Sequence, residues 1–512
     1  MKNILFFLCF LPLTVFTQSF PYDLSFNNVG YNMQDIDIKD FVHSVLIQPD
    51  GKIIISGVTE NWGTDEADVF LIRFNTDGSL DATFGTGGKV LLNYDYEAPS
   101  YCLAKLQSDG KIVITFNTDI DLFCRRFLPD GTVDNSFGNN GVFTFPMNNR
   151  PYDNDILYAR DLDLQSDGKI VITAENFTLS SFITLFRLNT NGTIDPTFGN
   201  SITTDYATSS SDMDFGSLKS IIVNDSIINI SGSNNSTTYP NSVLIRQFTP
   251  DGVIDNTFGT NGRLRINDAF YNVNLYKINK NFCVSYNDLN AINKSRIELY
   301  NLNGTPINSF GQNGVLYYNF GQIETIKEDL NGRLVILASA AEVNNERPMI
   351  ITRHHINGNL DSTFAQNGIY SNPLSPNHIT YASDFEIMTD GSIIVTGNSQ
   401  GLFNQGFDAF VAKFLLGLDV STEAIQNSSF QPTIYPNPVQ NNLILQYKLE
   451  KTSDLSIELY DINGRRIKVL SNQKESLGQH QKEWNISDLQ TGIYFLHLES
   501  DDESITLKVI KE

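Results

Sequence analysis

Short apolar runs broken by Asp-Gly or Asn-Gly recur along most of this chain. LIQPDGKIIISG spans residues 46–57, LQSDGKIVIT spans both 106–115 and 164–173, DLNGRLVILA spans 329–338 and IMTDGSIIVTG spans 387–397. Two worn copies, IVNDSIINISG at 222–232 and INKNFCVSY at 278–286, complete a set of seven. Asp-Gly between alternating β-branched runs predicts a β-hairpin, with a type I′ turn and positive φ at both central residues as the expectation. No helical 3.6-residue period competes with this pattern.

A second pattern follows each hairpin. A strand carrying a basic residue leads into another Asp-Gly or Asn-Gly turn and then D-x-[ST]-F-G-x-x-G. It reads RFNTDGSLDATFGTGG at 73–88, RFLPDGTVDNSFGNNG at 126–141, RLNTNGTIDPTFG at 187–199, QFTPDGVIDNTFGTNG at 247–262, LYNLNGTPINSFGQNG at 299–314 and RHHINGNLDSTFAQNG at 353–368. Its aromatic anchors Phe84, Phe137, Phe198, Phe258, Phe310 and Phe364 stand 52 to 61 residues apart. Each unit holds four short strands, expected at about 42–48, 52–58, 68–75 and 88–94 in the first.

There are seven first halves and six second halves. Residues 23–30, DLSFNNVG, supply the missing one with Asp23, Phe26 and Gly30 in register, and the last unit stops at DAFVAKFLLG, 408–417, where its own should follow. A ring accounts for a repeat split between the two ends of the chain, because an N-terminal strand can complete the last blade. If the FG segment instead opens each blade, seven whole units need no exchange. Four strands per repeat in a closed ring is the β-propeller solution to the edge-strand problem. The expected fold class is all-β: a seven-bladed β-propeller over about 20–418, followed by a small immunoglobulin-like β-sandwich. The repeats resemble the delta-60 repeat family of bacterial secreted proteins. That resemblance implies a propeller and is silent on ligands.

Comparing the repeats with one another points to structural pairs. The basic strand residue lies eight positions before the turn carboxylate: Arg73 and Asp81, Arg126 and Asp134, Arg187 and Asp195, Arg353 and Asp361. In the fifth unit both are apolar, Leu299 and Ile307; in the fourth Gln247 faces Asp255; the leftover pair is Lys413 and Asp23. Joint loss predicts contact, with the guanidinium gripping the carboxylate bidentately.

After Leu418 the pattern changes. Residues 419–433 are polar and unpatterned and read as a linker, and 434–512 form a compact β unit. Leu443, Leu445 and Tyr447 alternate with Ile444, Gln446 and Lys448; a hairpin over 454–470 turns at Asn463-Gly464; 491–500 and 504–512 make the last pair. The unit resembles the type A sorting domain of the type IX secretion system. The matching pieces are Tyr435-Pro436-Asn437-Pro438, LYDINGRRI at 459–467 around Asn463 and Gly464, L-x-T-G-I-Y at 489–494 with Gly492, and KVIK beginning at Lys508. The resemblance implies handling by the type IX secretion machinery, removal of the domain, and release or attachment at the cell surface. A carbohydrate-binding sandwich is the alternative reading of the same strands.

Composition narrows the partners. Lys and Arg number 35 against 58 Asp and Glu, a net charge of −23, which disfavours nucleic acid and anionic membrane surfaces. Lys2 followed by the apolar run Ile4–Phe16 reads as a secretory signal over residues 1–17, too short for a membrane span. Beyond it Cys102, Cys124 and Cys283 read as small core residues.

Candidate chemistry is sparse. The N-x-D-G-x-x-D turns could be read as calcium loops, but Asx turns explain the same residues and no glutamate closes the loop. His354 and His355 are adjacent on a strand and point apart, and H-E-x-x-H and Cys-x-x-Cys are absent. No catalytic residue, cofactor or metal site is therefore assigned. The expected function is that of a secreted or cell-surface, non-enzymatic binding or scaffold propeller. Its ligand would be a glycan or a cell-surface protein met by variable loops such as 59–67 with Trp62, and 201–216. The alternatives are a polysaccharide hydrolase or lyase with carboxylates converging at one mouth of the ring, and a structural adhesin.

Overall fold

The strand runs between the Asp-Gly turns are apolar on both faces, as expected for strands that lie between stacked sheets. Ile112–Asn117, Leu334–Ser339, Met349–His354 and Ser242–Phe248 are buried along their whole length. In the computed structural model these runs are the middle strands of four-stranded antiparallel sheets. The structure describes residues 22–60, 67–93, 99, 101–118, 121–145, 157–176, 182–199, 203–206, 219–233, 242–267, 269–288, 294–342, 347–365, 367–375, 378–401, 406–415, 432–437, 439–449, 451–461, 466–490, 492–500 and 504–511. The stretch read as a secretory signal, Trp62 and most of 59–67 and 201–216, the linker up to residue 431, Pro438, Asn463 and Gly464 lie outside the described residues; Thr433 opens a strand.

Among the described residues seven sheets of four strands each span 31–414. The first blade runs Lys39–Ile47, Ile53–Glu60, Asp68–Phe74 and Lys89–Asn93, close to expectation. The innermost strands of blades two to seven are Cys102–Leu106, Leu157–Leu164, Lys219–Val223, Ala269–Ile278, Gln322–Glu328 and His378–Ile387. The seventh blade is completed by the N-terminal strand Tyr31–Gln34, antiparallel to Asp408–Phe414 with Tyr31 opposite Ala412 and Gln34 opposite Ala409. Lys413 Nζ lies 3.1 Å from Asp23 Oδ2, so the pair split between the chain ends meets. One apolar cluster joins Val42, Ile53, Phe70 and Phe74 of the first blade to Phe26, Ile394, Ala409 and Val411 of the last, closing the ring.

The turns depart from the type I′ expectation. In Gln48-Pro49-Asp50-Gly51 the Gly51 N–H donates to Gln48 O at 2.8 Å and only Gly51 has positive φ, +83°. This is a type I turn followed by a left-handed glycine, a form that favours proline at its second position. The I′ requirement is met in a worn copy, where Asn224 (φ +51°) and Asp225 (φ +62°) join Lys219–Val223 to Ser226–Ser233. Loss of Asp-Gly there shortened the turn without removing the hairpin.

The second Asp-Gly turn of each blade receives its neighbour. Gly85 N–H donates to Asp130 O at 2.9 Å, Gly138 to Asn191 O at 2.7 Å, Gly199 to Asp251 O at 2.7 Å, Gly259 to Asn303 O at 2.9 Å and Gly311 to Asn357 O at 2.7 Å. At the closing joint Asn27 N–H donates to Asp77 O at 2.6 Å. The preceding phenylalanine lies on the turn glycine, so a Cβ on Gly131 would come within 2.8 Å of Phe84, and one on Gly78 within 2.7 Å of Phe26. The sixth copy has Ala365 at φ +43° in the place of the joint glycine.

Residues 433–511 form two further sheets. One pairs Thr433–Tyr435, Asn442–Leu449 and Gly478–Asn485; the other orders Arg466–Glu475, Ser453–Asp461, Gly492–Ser500 and Ser504–Lys511. Leu443, Leu445, Tyr447 and Leu449 of the first and Leu455, Ile457, Leu496 and Leu498 of the second share one core.

Gly78 and Gly391 separate backbone strain from the joint contact. Both have φ near +80°, but a Cβ on Gly391 meets nothing within 4 Å. Gly391→Ala should cost about 1–2 kcal/mol for the left-handed backbone alone, and Gly78→Ala distinctly more. Equal losses in denaturant unfolding would remove the joint from the account.

Candidate functional site

Each repeated polar pair sits in a buried cluster beneath its turn. Arg73 Nε donates to Asp81 Oδ2 at 2.8 Å, Arg126 Nε to Asp134 Oδ2 at 2.8 Å, Arg187 Nε to Asp195 Oδ2 at 3.0 Å and Arg353 Nε to Asp361 Oδ2 at 2.7 Å. The other carboxylate oxygen accepts from the residue two positions on; Asp81 Oδ1 takes the Thr83 N–H at 3.0 Å and its hydroxyl at 2.6 Å. The motif phenylalanine covers the guanidinium, with Arg73 Cζ 4.6 Å from the Phe84 centroid. D-x-[ST]-F is thus one cluster. Burial by itself would raise the Asp81 carboxyl. Hydrogen bonds from Thr83 and Lys52 and the Arg73 charge outweigh it and hold the group well below the usual carboxylate range.

The expected two-oxygen grip is replaced by contact with a single carboxylate oxygen, Oδ2, which at Arg187 meets both Nε at 3.0 Å and Nη2 at 2.9 Å. The Nη1 corner points to the next blade, where Arg73 Nη1 donates to Pro129 O at 2.5 Å and Arg187 Nη1 to Pro250 O at 2.7 Å; Arg126 Nη1 donates likewise to Thr190 O. Two partners were not anticipated. Gln48 Oε1 accepts from Arg73 Nη1 at 3.1 Å, and Lys52 Nζ lies 2.9 Å from Asp81 Oδ2. The sixth blade exchanges both, with Arg333 bridging Asp329 and Asp361. The recurring Q and K of L-Q-S-D-G-K were the available signal. In the fifth blade Leu299 and Ile307 pack with Phe310 as an apolar substitute.

The turn carboxylates read as calcium candidates engage their own backbone. Asp77 Oδ1 accepts from Ser79 N–H at 2.9 Å and Asp130 Oδ1 from Thr132 N–H at 2.9 Å. His354 is buried between Gly358 O and Thr352 Oγ1, at 3.1 Å from each, whereas His355 is half exposed. Cys102, Cys124 and Cys283 are buried free thiols. In the C-terminal unit the Tyr435 hydroxyl accepts from Gln446 Nε2 at 2.8 Å, Asn437 follows in a bend after Pro436, Gly492 opens the strand Gly492–Ser500, and Lys508 lies opposite Phe495.

The innermost strands of all seven blades line a central channel of about 1240 Å³. Its carboxylates have partners. Asp161 Oδ2 accepts from Ser220 N–H at 2.9 Å, Asp163 Oδ2 from Ile222 N–H at 2.8 Å and Asp384 Oδ2 from Val45 N–H at 3.2 Å, each reaching into the next blade. Lys105 Nζ is 3.5 Å from Asp163 Oδ1, and Lys327 Nζ is 3.2 Å from Asp384 Oδ1 and 2.7 Å from Glu386 Oε1. Lys105, Asp163, Lys327 and Glu386 each stand five positions before a turn glycine, a regularity that the sequence shows but repetition of residue type does not reveal.

Bulges re-aim side chains within these strands. The pairing skips a residue between Val42 and Ser44, between Ile323 and Thr325, and between Ala382 and Asp384. The bulged residues His43, Glu324 and Ser383 line the channel. Burial, with a smaller push from Lys219, lowers His43 to about 4, so it is neutral at pH 7. Burial raises the Glu324 carboxyl, opposed by Ser339 and Arg347. Around the end where the innermost strands begin are His43 stacked on Tyr101 at 4.2 Å, Tyr381 and Phe407 at 5.5 Å, and Arg347 over Tyr381 at 4.3 Å.

Near the closing seam Asp35, Asp40 and Asp408 bring three carboxylate oxygens within 4.8 Å of one another, a spacing compatible with a cation. Asp40 is fully buried and accepts from Ile36 N–H at 2.9 Å and Asp37 N–H at 3.2 Å. Desolvation raises its pKa to about 7 against those two bonds, with Asp35 and Asp408 adding to the rise.

Comparison with known proteins gives two matches to family models. Residues 433–512 match the secretion system C-terminal sorting domain, and residues 48–84, 107–137 and 165–198 match a β-propeller domain of unknown function, DUF5122. No curated protein matches the chain. Similar solved structures include the β-propeller domain of the Trilobed protease from Pyrococcus furiosus, 9% identical with a TM-score of 0.41 over 75% of this chain and 99% of that one. Polysaccharide lyase Uly1 is 10% identical with a TM-score of 0.44 over 75% and 91%. A protein of unknown function from Dyadobacter fermentans is 9% identical with a TM-score of 0.40 over 76% and 98%. At these scores no functional argument is built on the likeness. The chain carries delta-60-like propeller repeats and a type IX sorting domain, which directs it to the cell surface or the extracellular space. No helix among the described residues is long and apolar enough to cross a membrane.

Two predictions test these clusters. Arg73→Gln and Asp81→Asn should each cost about 3–5 kcal/mol, because each strands a buried charge, and the double variant should cost clearly less than their sum. Strict additivity in urea unfolding would dissolve the pair. For Asp40 the folded pKa lies above the roughly 3.9 of an exposed Asp. Its contribution to stability is therefore complete below about pH 4 and is lost as pH rises through about 7, by on the order of 1.4 kcal/mol per pH unit between the two values. In buffer containing EDTA, Asp40→Asn should flatten the fall in Tm over that range; an unchanged slope would assign the pH dependence elsewhere.

Proposed function

We propose that the exported propeller is a non-catalytic binding module whose ligand enters the central channel. The observation that supports this most directly is the commitment of the channel carboxylates. Asp161, Asp163 and Asp384 accept backbone N–H groups of the adjoining blade, and Asp163, Asp384 and Glu386 also face Lys105 or Lys327. Hydrolysis of a glycosidic bond needs two carboxyl groups free to exchange protons or attack. Carboxylates that hold adjacent blades together would lose the ring's inner contacts on titration. The channel is nevertheless wide, polar and bordered by aromatic side chains, the combination expected of a ligand site. Export and sorting explain how such a module reaches its ligand outside the cell.

One observation favours an enzyme as the second reading. Glu324 has its carboxyl raised by burial at the channel wall, the condition of a general acid.

The two readings separate in a single series. The purified full chain is incubated with dextran, mannan, laminarin and polygalacturonate, and both binding and release of new chain ends are followed. The module reading expects a rise in Tm with at least one polymer, about 2.7 kcal/mol of stabilisation at a hundredfold excess over Kd, without product. It also expects Ser383→Arg, which fills the channel wall, to abolish binding. Product release that disappears in Glu324→Gln would replace the module with a polysaccharide-active enzyme.

A further inference from the structure

The channel mouth selects a chemistry. Five cationic and six acidic side chains line the channel, and the strongest of them neutralise one another across blade joints. The site therefore offers little net charge to steer an ion, even though the whole chain carries −23. A strongly anionic or cationic polymer would have to break these internal pairs in order to bind.

What remains at the mouth is amphipathic. On the arc made by blades seven, one and two lie aromatic rings. Tyr101 is 38% exposed and its ring stacks on the half-buried His43; Phe407 lies 6.0 Å from Phe41 and 5.5 Å from Tyr381. Burial keeps the His43 ring neutral at pH 7, while Lys39 and Arg347 lie over the Phe407 and Tyr381 rings. On the arc made by blades five and six the lining includes the planar polar groups of Asn274, Gln322 and Arg347, together with the Glu324 carboxyl. Arg347 lies over Tyr381 at 4.3 Å and is anchored by donation from Nε to Ala340 O at 3.1 Å.

Resting on the binding-module reading, we infer that this mouth takes a neutral glycan, with a sugar ring against Tyr101 or Tyr381 and its hydroxyl groups turned toward Asn274, Gln322 and Arg347. A pyranose presents an axial C–H face to an aromatic ring and a rim of hydroxyl groups to planar polar side chains. Aromatic faces adjoining planar polar side chains, with charge balanced, match that surface better than they match a phosphate, a uronic acid or an apolar chain.

The test uses the full chain in isothermal titration with hexasaccharides of glucose in α1,4 and β1,3 linkage and of mannose in β1,4 linkage, and with oligogalacturonate as the acidic counterpart. At least one neutral hexasaccharide should bind. Tyr101→Ala should weaken it about tenfold, whereas Tyr101→Phe, which keeps the ring, should bind within a factor of about two. Tyr101→Phe should melt within the scatter of the parent, and Tyr101→Ala, which also removes the ring stacked on His43, should melt lower while remaining folded. Failure of every neutral sugar to bind, equal binding by Tyr101→Ala, or preference for oligogalacturonate would overturn the inference. Acidic binding that Ser383→Arg abolishes would leave the module reading standing and remove only the neutral glycan.

Discussion

A phenylalanine ring laid on a glycine turn of the next blade, with a peptide N–H bonded to that turn's carbonyl, is the contact from which the ring is built. It recurs from Phe84 on Gly131 to Phe26 on Gly78. Both partners are constrained by it. The turn glycine needs its left-handed backbone and also cannot carry a Cβ, because the ring occupies that volume. The phenylalanine in turn roofs the buried guanidinium, whose outer edge crosses to the same neighbouring blade. Removing any one member exposes or strands the others, so the cluster behaves as a unit and not as separate bonds.

This arrangement explains which departures the repeats tolerate. Leu299 and Ile307 replace a charge pair with an apolar pair of similar role, which avoids an uncompensated buried ion. Asp329 and Arg333 replace Gln and Lys together in the sixth blade. Ala365 stands for glycine in the sixth copy, keeping the left-handed backbone of that position. At the seam the same logic draws Lys413 to Asp23, near-opposite ends of the propeller in sequence. Burial of Asp40 beside Asp35 and Asp408 raises its carboxyl pKa at that seam.

The inner surface follows a different rule. There the strands leave N–H groups facing the preceding blade, and side chains such as Asp161, Asp163 and Asp384 of that blade satisfy them. These residues look like candidates for chemistry because they are acidic and line a cavity, yet their geometry is that of joints. The groups with freedom to meet a ligand are displaced to the mouth, on bulges and strand starts, where ladder bonding no longer dictates the side-chain direction.

Much of the fold was legible in the sequence because each blade repeats the same local problem. Alternation, turn glycines and D-x-[ST]-F declare strands and corners from neighbouring residues alone, and the half-repeat at Asp23–Gly30 announces ring closure. The eight-residue separation of Arg73 and Asp81 was readable for the same reason, since both lie on one hairpin. The turn type was misread because Asp-Gly suits both the I′ turn and the type I turn with a left-handed glycine, and only the backbone path distinguishes them. The crossing of Arg73 to Pro129, the capping of Val45 by Asp384 and the meeting of Tyr101 with His43 join residues of different blades at positions that do not repeat. Local sequence determines each blade; the closure of seven blades about an axis decides which side chains share the channel, because that juxtaposition depends on angles summed around the whole ring.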